Sequence, residues 1–251
     1  MRIIGGRAFD FSRQVAVMAI VNRTPDSFHD RGSTFALEKA LAAASAAVDA
    51  GADWIDVGGV PFAPGPEVAR EVVKAGAGVV NDTSGLRDLA MADAVAGTDA
   101  QLVITHSLAP PRTPFPRPQY ADVTAEVAAF LRQRVAVALS RGVRPGQLII
   151  DPGHDLNKNT YHSLEVTRRL DEIAAIGYPM LAAVSNKDFI GETLNAAQHD
   201  RLAGTIATVV YSVLHGARIV RVHDVRAAVD AVRMTEAILG WRPPAHLRHN
   251  M

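Results

Sequence analysis

One rhythm recurs along this chain: a helix-period segment reaches a glycine, a short β-branched run follows, and that run ends in polar residues. Glycine suits the position just after a helix, where a positive φ costs it little. The first run, Val15–Val21, ends at Asn22. An Ala-rich helix near Phe35–Ala50 stops at Gly51, and Trp54–Val57 follows with Asp56 and Gly58-Gly59. A helix near Glu67–Ala75 stops at Gly76, before Val79-Val80 and Asn81-Asp82. Leu102–Thr105 leads to His106-Ser107. After a helix over Thr124–Ser140 and Gly142, Leu148–Ile150 leads to Asp151-Pro152-Gly153. A helix near Ser163–Ala175 and Gly177 precede Met180–Val184 and Ser185-Asn186-Lys187. A helix near Arg201–Leu214 and Gly216 precede Ile219–Val222, with Arg221, His223 and Asp224.

Strands that alternate with helices imply right-handed crossovers and a parallel sheet. Near-continuous apolar strands imply that both faces of the sheet are covered. Seven such strands can be counted, with a short hairpin possible before them. No glycine-rich phosphate fingerprint follows any strand, which argues against a doubly wound sheet. The polar residues gather at strand C-terminal ends, and in a β/α barrel those ends converge on one mouth. The expected architecture is therefore a β/α barrel, one domain over residues 1–251.

Composition narrows the function. Lys+Arg and Asp+Glu number 26 each, so no global basic field exists to hold nucleic acid or an anionic membrane. The absence of cysteine excludes a disulfide scaffold, thiolate zinc sites, iron–sulfur clusters and cysteine nucleophiles. The opening MRIIGGRAFDF has no apolar run with a cleavage site behind it. The most apolar later stretch, Thr205–Val222, is broken by His215, Arg218 and Arg221. A cytoplasmic enzyme or small-molecule binding protein is expected. Leu108–Gln119 holds five prolines and can be neither helix nor central strand; it reads as a surface connector or a wall over the mouth.

Asn22-Arg23-Thr24-Pro25-Asp26-Ser27-Phe28 is the most unusual peptide. Taken alone, it reads equally well as a helix-capping loop. It resembles the Asn-x-Thr-Pro-Asp-Ser-Phe signature of the dihydropteroate synthase family, the pterin-binding barrels of folate synthesis. Further segments resemble that family in its own order: Gly51–Gly59, Val80–Leu86, Asp151-Pro152-Gly153 with Lys158-Asn159, Ser185–Lys187 with Phe189–Gly191, and Arg221–Asp224. The resemblance implies a TIM-type (β/α)8 barrel. It also implies a transferase that displaces pyrophosphate from a pterin methylene and joins that carbon to the amine of p-aminobenzoate.

The residue types suit that chemistry. A pterin presents two donors side by side, which a carboxylate accepts in bidentate fashion. By resemblance Asp151 takes this role, Asn81 meets the ring, and Lys187 donates to its carbonyl side. The resemblance also implies that Arg221 stacks on the ring and, with His223, contacts phosphate. Asp151, Lys187 and Arg221 are the catalytic candidates, and Asn81 and His223 complete the substrate contacts. Asn22 lies at the metal and diphosphate, with Mg2+ the implied cofactor; magnesium keeps most of its waters and takes few protein ligands. The family's habit also implies a homodimer through the last helices.

Four departures matter. Val60-Pro61-Phe62-Ala63-Pro64-Gly65 stands where the family carries Ser-Thr-Arg-Pro-Gly. Asp188 replaces a hydroxyl that would meet the p-aminobenzoate carboxylate, and like charges are expected to repel there. His154-Asp155-Leu156-Asn157 replaces an aromatic, glycine-rich run. Finally, the strand that stands third in the family's barrel is missing from this sequence, together with its aspartate: Pro64-Gly65-Pro66 passes directly into a helix. A barrel short of a strand exposes two edges or has to close anew. Three readings follow: a dihydropteroate synthase, a weak or silent paralogue that keeps a pterin or phosphate site, and a methyltetrahydrofolate-binding methyltransferase domain. The third fits the diphosphate-type motifs least.

Overall fold

The computed structural model describes residues 1–22, 37–58, 65–110, 113 and 115–249. The peptide 23–28 and the segment 60–64 lie outside the described residues. A hairpin of β1 (Arg2–Ile4) and β2 (Arg7–Phe9) comes first. Seven strands then form one sheet: β3 (Ala16–Asn22), β4 (Trp54–Gly58), β5 (Val79–Asp82), β6 (Gln101–Thr105), β7 (Leu148–Asp151), β8 (Met180–Ala182) and β9 (Ala217–Val222). Its order is β4-β3-β9-β8-β7-β6-β5, with every neighbouring pair parallel. This is a nearly closed seven-stranded β/α barrel.

The helices are α1 (Leu37–Asp49), α2 (Pro66–Lys74), α3 (Ala90–Val95), α4 (Val123–Ser140), α5 (Thr160–Arg168), α6 (Leu170–Ala174), α7 (Asp188–Leu194), α8 (Leu202–Leu214) and α9 (Val225–Ile238). The predicted helix near 163–175 is two helices, α5 and α6, meeting at Arg169, which is ion-paired to Asp122, Glu165 and Glu172. Helices α3, α7 and α9 escape the sequence rhythm. The first two are short, and no strand follows α9 to announce it.

Two apolar layers position the strand ends. Between sheet and helices, Leu102, Ile104, Leu131, Leu148, Ile150, Leu170 and Ile173 are fully buried. Each such side chain contributes roughly 1.5–3 kcal/mol of burial free energy. Inside the barrel, Met18, Val103, Ile149, Leu181 and Ile219 pack on Ile4 and Phe9, so the hairpin plugs the floor. The buried Glu236 of α9 accepts from the Val15 amide at 2.8 Å and is paired with Arg233 and Arg242, as a buried charge must be. Among the described residues, no helix is long and apolar enough to cross a membrane.

The expected lack of a strand is visible as a seam. β4 and β5 are the two edges of the sheet, and no backbone ladder joins them among the described residues. Gly65 caps α2 directly, and Pro66 is its first residue. A cavity of about 220 Å³ lies in the seam, lined by Met18, Trp54, Asp56, Val79 and Asn81 among others.

Candidate ligand site at the strand ends

Every candidate residue lies at or just beyond a strand's C-terminal end. Asn22 closes β3 and sits in register with Gly58 of β4. Asn81 is in β5, Asp151 closes β7, Lys187 follows β8, Arg221 is next to last in β9, and His223 follows it. Because the strands are parallel, all six belong to the same rim.

Asp151 is the buried centre, 4% exposed. Its Oδ1 accepts from the Gly153 amide at 2.7 Å, and its Oδ2 accepts from Thr105 Oγ1 at 3.4 Å. A carboxylate has about four acceptor positions, so two are left for a ligand. Burial pushes the Asp151 carboxyl above the ordinary aspartate range, while the Gly153 amide and the charges of Lys187, Lys158 and Arg221 pull it back. Lys187 is half-buried and donates to the His154 carbonyl at 2.9 Å. Burial lowers its pKa, and the carboxylates of Asp155 and Asp151 oppose that shift.

The loop after β7 is locked by buried polar groups. Lys158 Nζ spends its three protons on His106 Nδ1 at 2.8 Å, Gly153 O at 2.9 Å and Leu156 O at 3.2 Å. Burial lowers the Lys158 pKa to about 7. His106 and His154 are held neutral, their pKa values lowered by burial to about 2 and about 3. His106 is a core histidine bonded to Lys158, whereas His154 bonds Thr167 Oγ1 through Nε2 at 3.1 Å and its buried Nδ1 has no partner among the described residues. Gly153 has φ +66°, and a Cβ there would overlap the His106 carbonyl oxygen, so only glycine fits. Asn157 Oδ1 accepts from Ser107 Oγ, Leu108 N and Ala109 N at 2.8–3.0 Å, and Tyr120 donates to its carbonyl. The proline-rich stretch is thereby tied to the rim at both ends.

Arg221 is paired: its Nε donates to Asp56 Oδ2 at 2.6 Å. The same oxygen accepts from Asn81 Nδ2 at 3.3 Å. Asp56 is thus part of the site although sequence reasoning passed over it. Its signal was a carboxylate inside an otherwise apolar strand. Ser185 Oγ and His223 Nδ1 share a hydrogen bond of 2.9 Å, and the same hydroxyl accepts from the His223 amide. Asn22 offers an amide oxygen close against Gly58, where a Cβ would come within 3.3 Å of it. Among the described residues, no three His, Asp or Glu side chains gather as a metal cage.

One expectation is corrected. Asp188 is not poised to repel an anion at the rim. Its side chain is 82% exposed, ion-paired with Arg201 at 2.9 Å, and sits in the first turn of α7, where a negative charge is favoured. Screening and pairing leave little of the repulsion.

Comparison with known proteins gives one family. The pterin binding enzyme family matches residues 18–65 and 65–223, two stretches that meet at Gly65, where the strand is missing. A protein called inactive dihydropteroate synthase 2 from Mycobacterium leprae is 40% identical over 95% of this chain and 95% of its own length. That alignment runs to 279 positions, more than the 251 residues here, so the relative carries residues with no counterpart in this chain. The dihydropteroate synthase of Escherichia coli is 34% identical over 93% of this chain and 95% of its own. The solved structure of dihydropteroate synthase from Xanthomonas albilineans in complex with 7,8-dihydropteroate superposes with a TM-score of 0.83 at 34% identity. It covers 94% of this chain and 97% of that one.

Proposed function

The chain belongs to the pterin binding enzyme family, and from that premise we propose a protein of the dihydropteroate synthase type whose pterin site outlasts its condensation chemistry. Asp151 carries the reading: a buried carboxylate at the barrel mouth, two acceptor positions unused, under the charges of Lys187, Lys158 and Arg221. It would take the two adjacent donors of a pterin edge. Asn81 and Lys187 would meet the ring, and Arg221 and His223 its phosphates. The Asn22 amide oxygen is a hard donor that suits Mg2+, with diphosphate and water completing the shell. When bound, the ion would stabilise the charge of the departing diphosphate.

In the full reaction the p-aminobenzoate nitrogen forms a bond to the pterin methylene as the carbon–oxygen bond to diphosphate breaks, and the amine loses a proton. This chain's equipment for that step is reduced. Residues 60–65 bring neither hydroxyl nor arginine, and among its relatives the M. leprae protein is called inactive. The one-domain chain is also proposed to be cytoplasmic and to pair as a homodimer through α8 and α9, whose Leu214, Met234 and Ile238 are exposed.

The test is calorimetric titration with a pterin methyl diphosphate, with and without magnesium, followed by a p-aminobenzoate condensation assay. Measurable binding with condensation about a hundredfold or more below an ordinary synthase, equivalent to about 2.7 kcal/mol of transition-state stabilisation, is expected. Ordinary rates would restore the reading of a full synthase; no pterin binding would end both.

A further inference from the structure

Three strands, no two of them adjacent in the sheet, are tied together by one carboxylate. Asp56 Oδ2 on β4 accepts from Arg221 Nε on β9 and from Asn81 Nδ2 on β5. Strand β3 lies between β4 and β9, and the open seam lies between β4 and β5. Where a closed barrel would hold its edges by a backbone ladder, this side chain bridges them. The pair is largely shielded, with side-chain exposures of 18% for Asp56 and 24% for Arg221. Among the described residues, Arg221 is bonded through Nε alone, so both terminal amino groups keep their protons for another partner.

We propose that Asp56 is a positioning residue: it holds the Arg221 guanidinium by its Nε edge so that the terminal amino groups serve an anionic ligand group, and it sets the Asn81 carboxamide beside it. This rests on the reading above that the rim takes a phosphate-bearing ligand. The sign of the effect separates this role from that of a bystander. A carboxylate that was merely near Arg221 would weaken its pull on anions, so removing the charge would tighten anion binding. A carboxylate that positions Arg221 does the opposite.

The experiment titrates the full chain with inorganic pyrophosphate and, separately, with a neutral hydroxymethyl pterin, comparing wild type with Asp56→Asn, Arg221→Ala and the double variant. Asp56→Asn should weaken pyrophosphate binding by about tenfold or more, the scale of one charge-assisted hydrogen bond. The loss should vanish in the Arg221→Ala background, and Asp56→Glu should recover part of it. Equal or tighter pyrophosphate binding by Asp56→Asn would overturn the proposal, as would an equal loss without Arg221. If wild type binds neither ligand, the functional reading fails instead. The Nε–H resonance of Arg221 then decides Asp56: slow exchange with water in wild type supports the clamp, and free exchange overturns it.

Discussion

Asp151 is where the ligand reading is most exposed to test. Asp151→Asn keeps the shape but replaces a charged acceptor with a group that offers a donor. Pterin affinity should fall by about 2–4 kcal/mol, roughly 30- to 1000-fold, by calorimetry. The pH dependence gives a second check. Burial raises the Asp151 pKa, so in the free protein the carboxylate is lost on acidification above the ordinary aspartate range. Pterin affinity should therefore weaken as pH falls through that raised value, and Asp151→Asn should flatten the profile. Unchanged affinity in the variant would remove Asp151 from the site. Asp188 shows how far a residue type can mislead: its charge is real, but Arg201 and solvent take it up.

At the scale of elements, the loop from Asp151 to Lys158 does the positioning. Asn157 has φ +52° and accepts three hydrogen bonds from the chain leaving β6, so it couples two rim segments. Asn157→Ala should destabilise the fold by about 2–4 kcal/mol, combining stranded donors with the cost of a left-handed backbone. Asn157→Asp, which keeps the acceptor, should stay much closer to wild type. Urea unfolding of the two variants measures both. Equal stabilities would show that the side-chain oxygen does not hold the loop.

For the whole molecule, pH stability follows from the two buried histidines. Unfolded, each titrates near 6.5; folded, His106 is held at about 2 and His154 at about 3. Their contribution is complete above pH 6.5 and is lost as pH falls toward the folded values. The slope is up to about 1.4 kcal/mol per pH unit for each. Asp151 works the other way, its raised pKa adding stability at low pH and losing it as pH rises. Two groups outweigh one, so urea unfolding should show stability falling steadily below pH 6.5, and His154→Asn should reduce the slope. A flat profile between pH 7 and 5 would contradict the burial of both rings as neutral groups.

The strand count, the parallel sheet, the hairpin and the rim of polar residues were legible in the sequence, because hydrophobic period and glycine stops are local signals. The same holds for the missing strand, which left Pro66 as the first residue of a helix. Asp56 and Asn157 were not legible as parts of the rim. Each acts on a partner far along the chain, 165 residues away for Arg221 and 48–50 for the backbone and hydroxyl donors of the 107–109 turn. The buried, neutral state of His106 and His154 likewise comes from what packs around them, which no local pattern encodes. A side chain's type is written in the chain, but its charge state and its partner are set by the neighbours that folding brings.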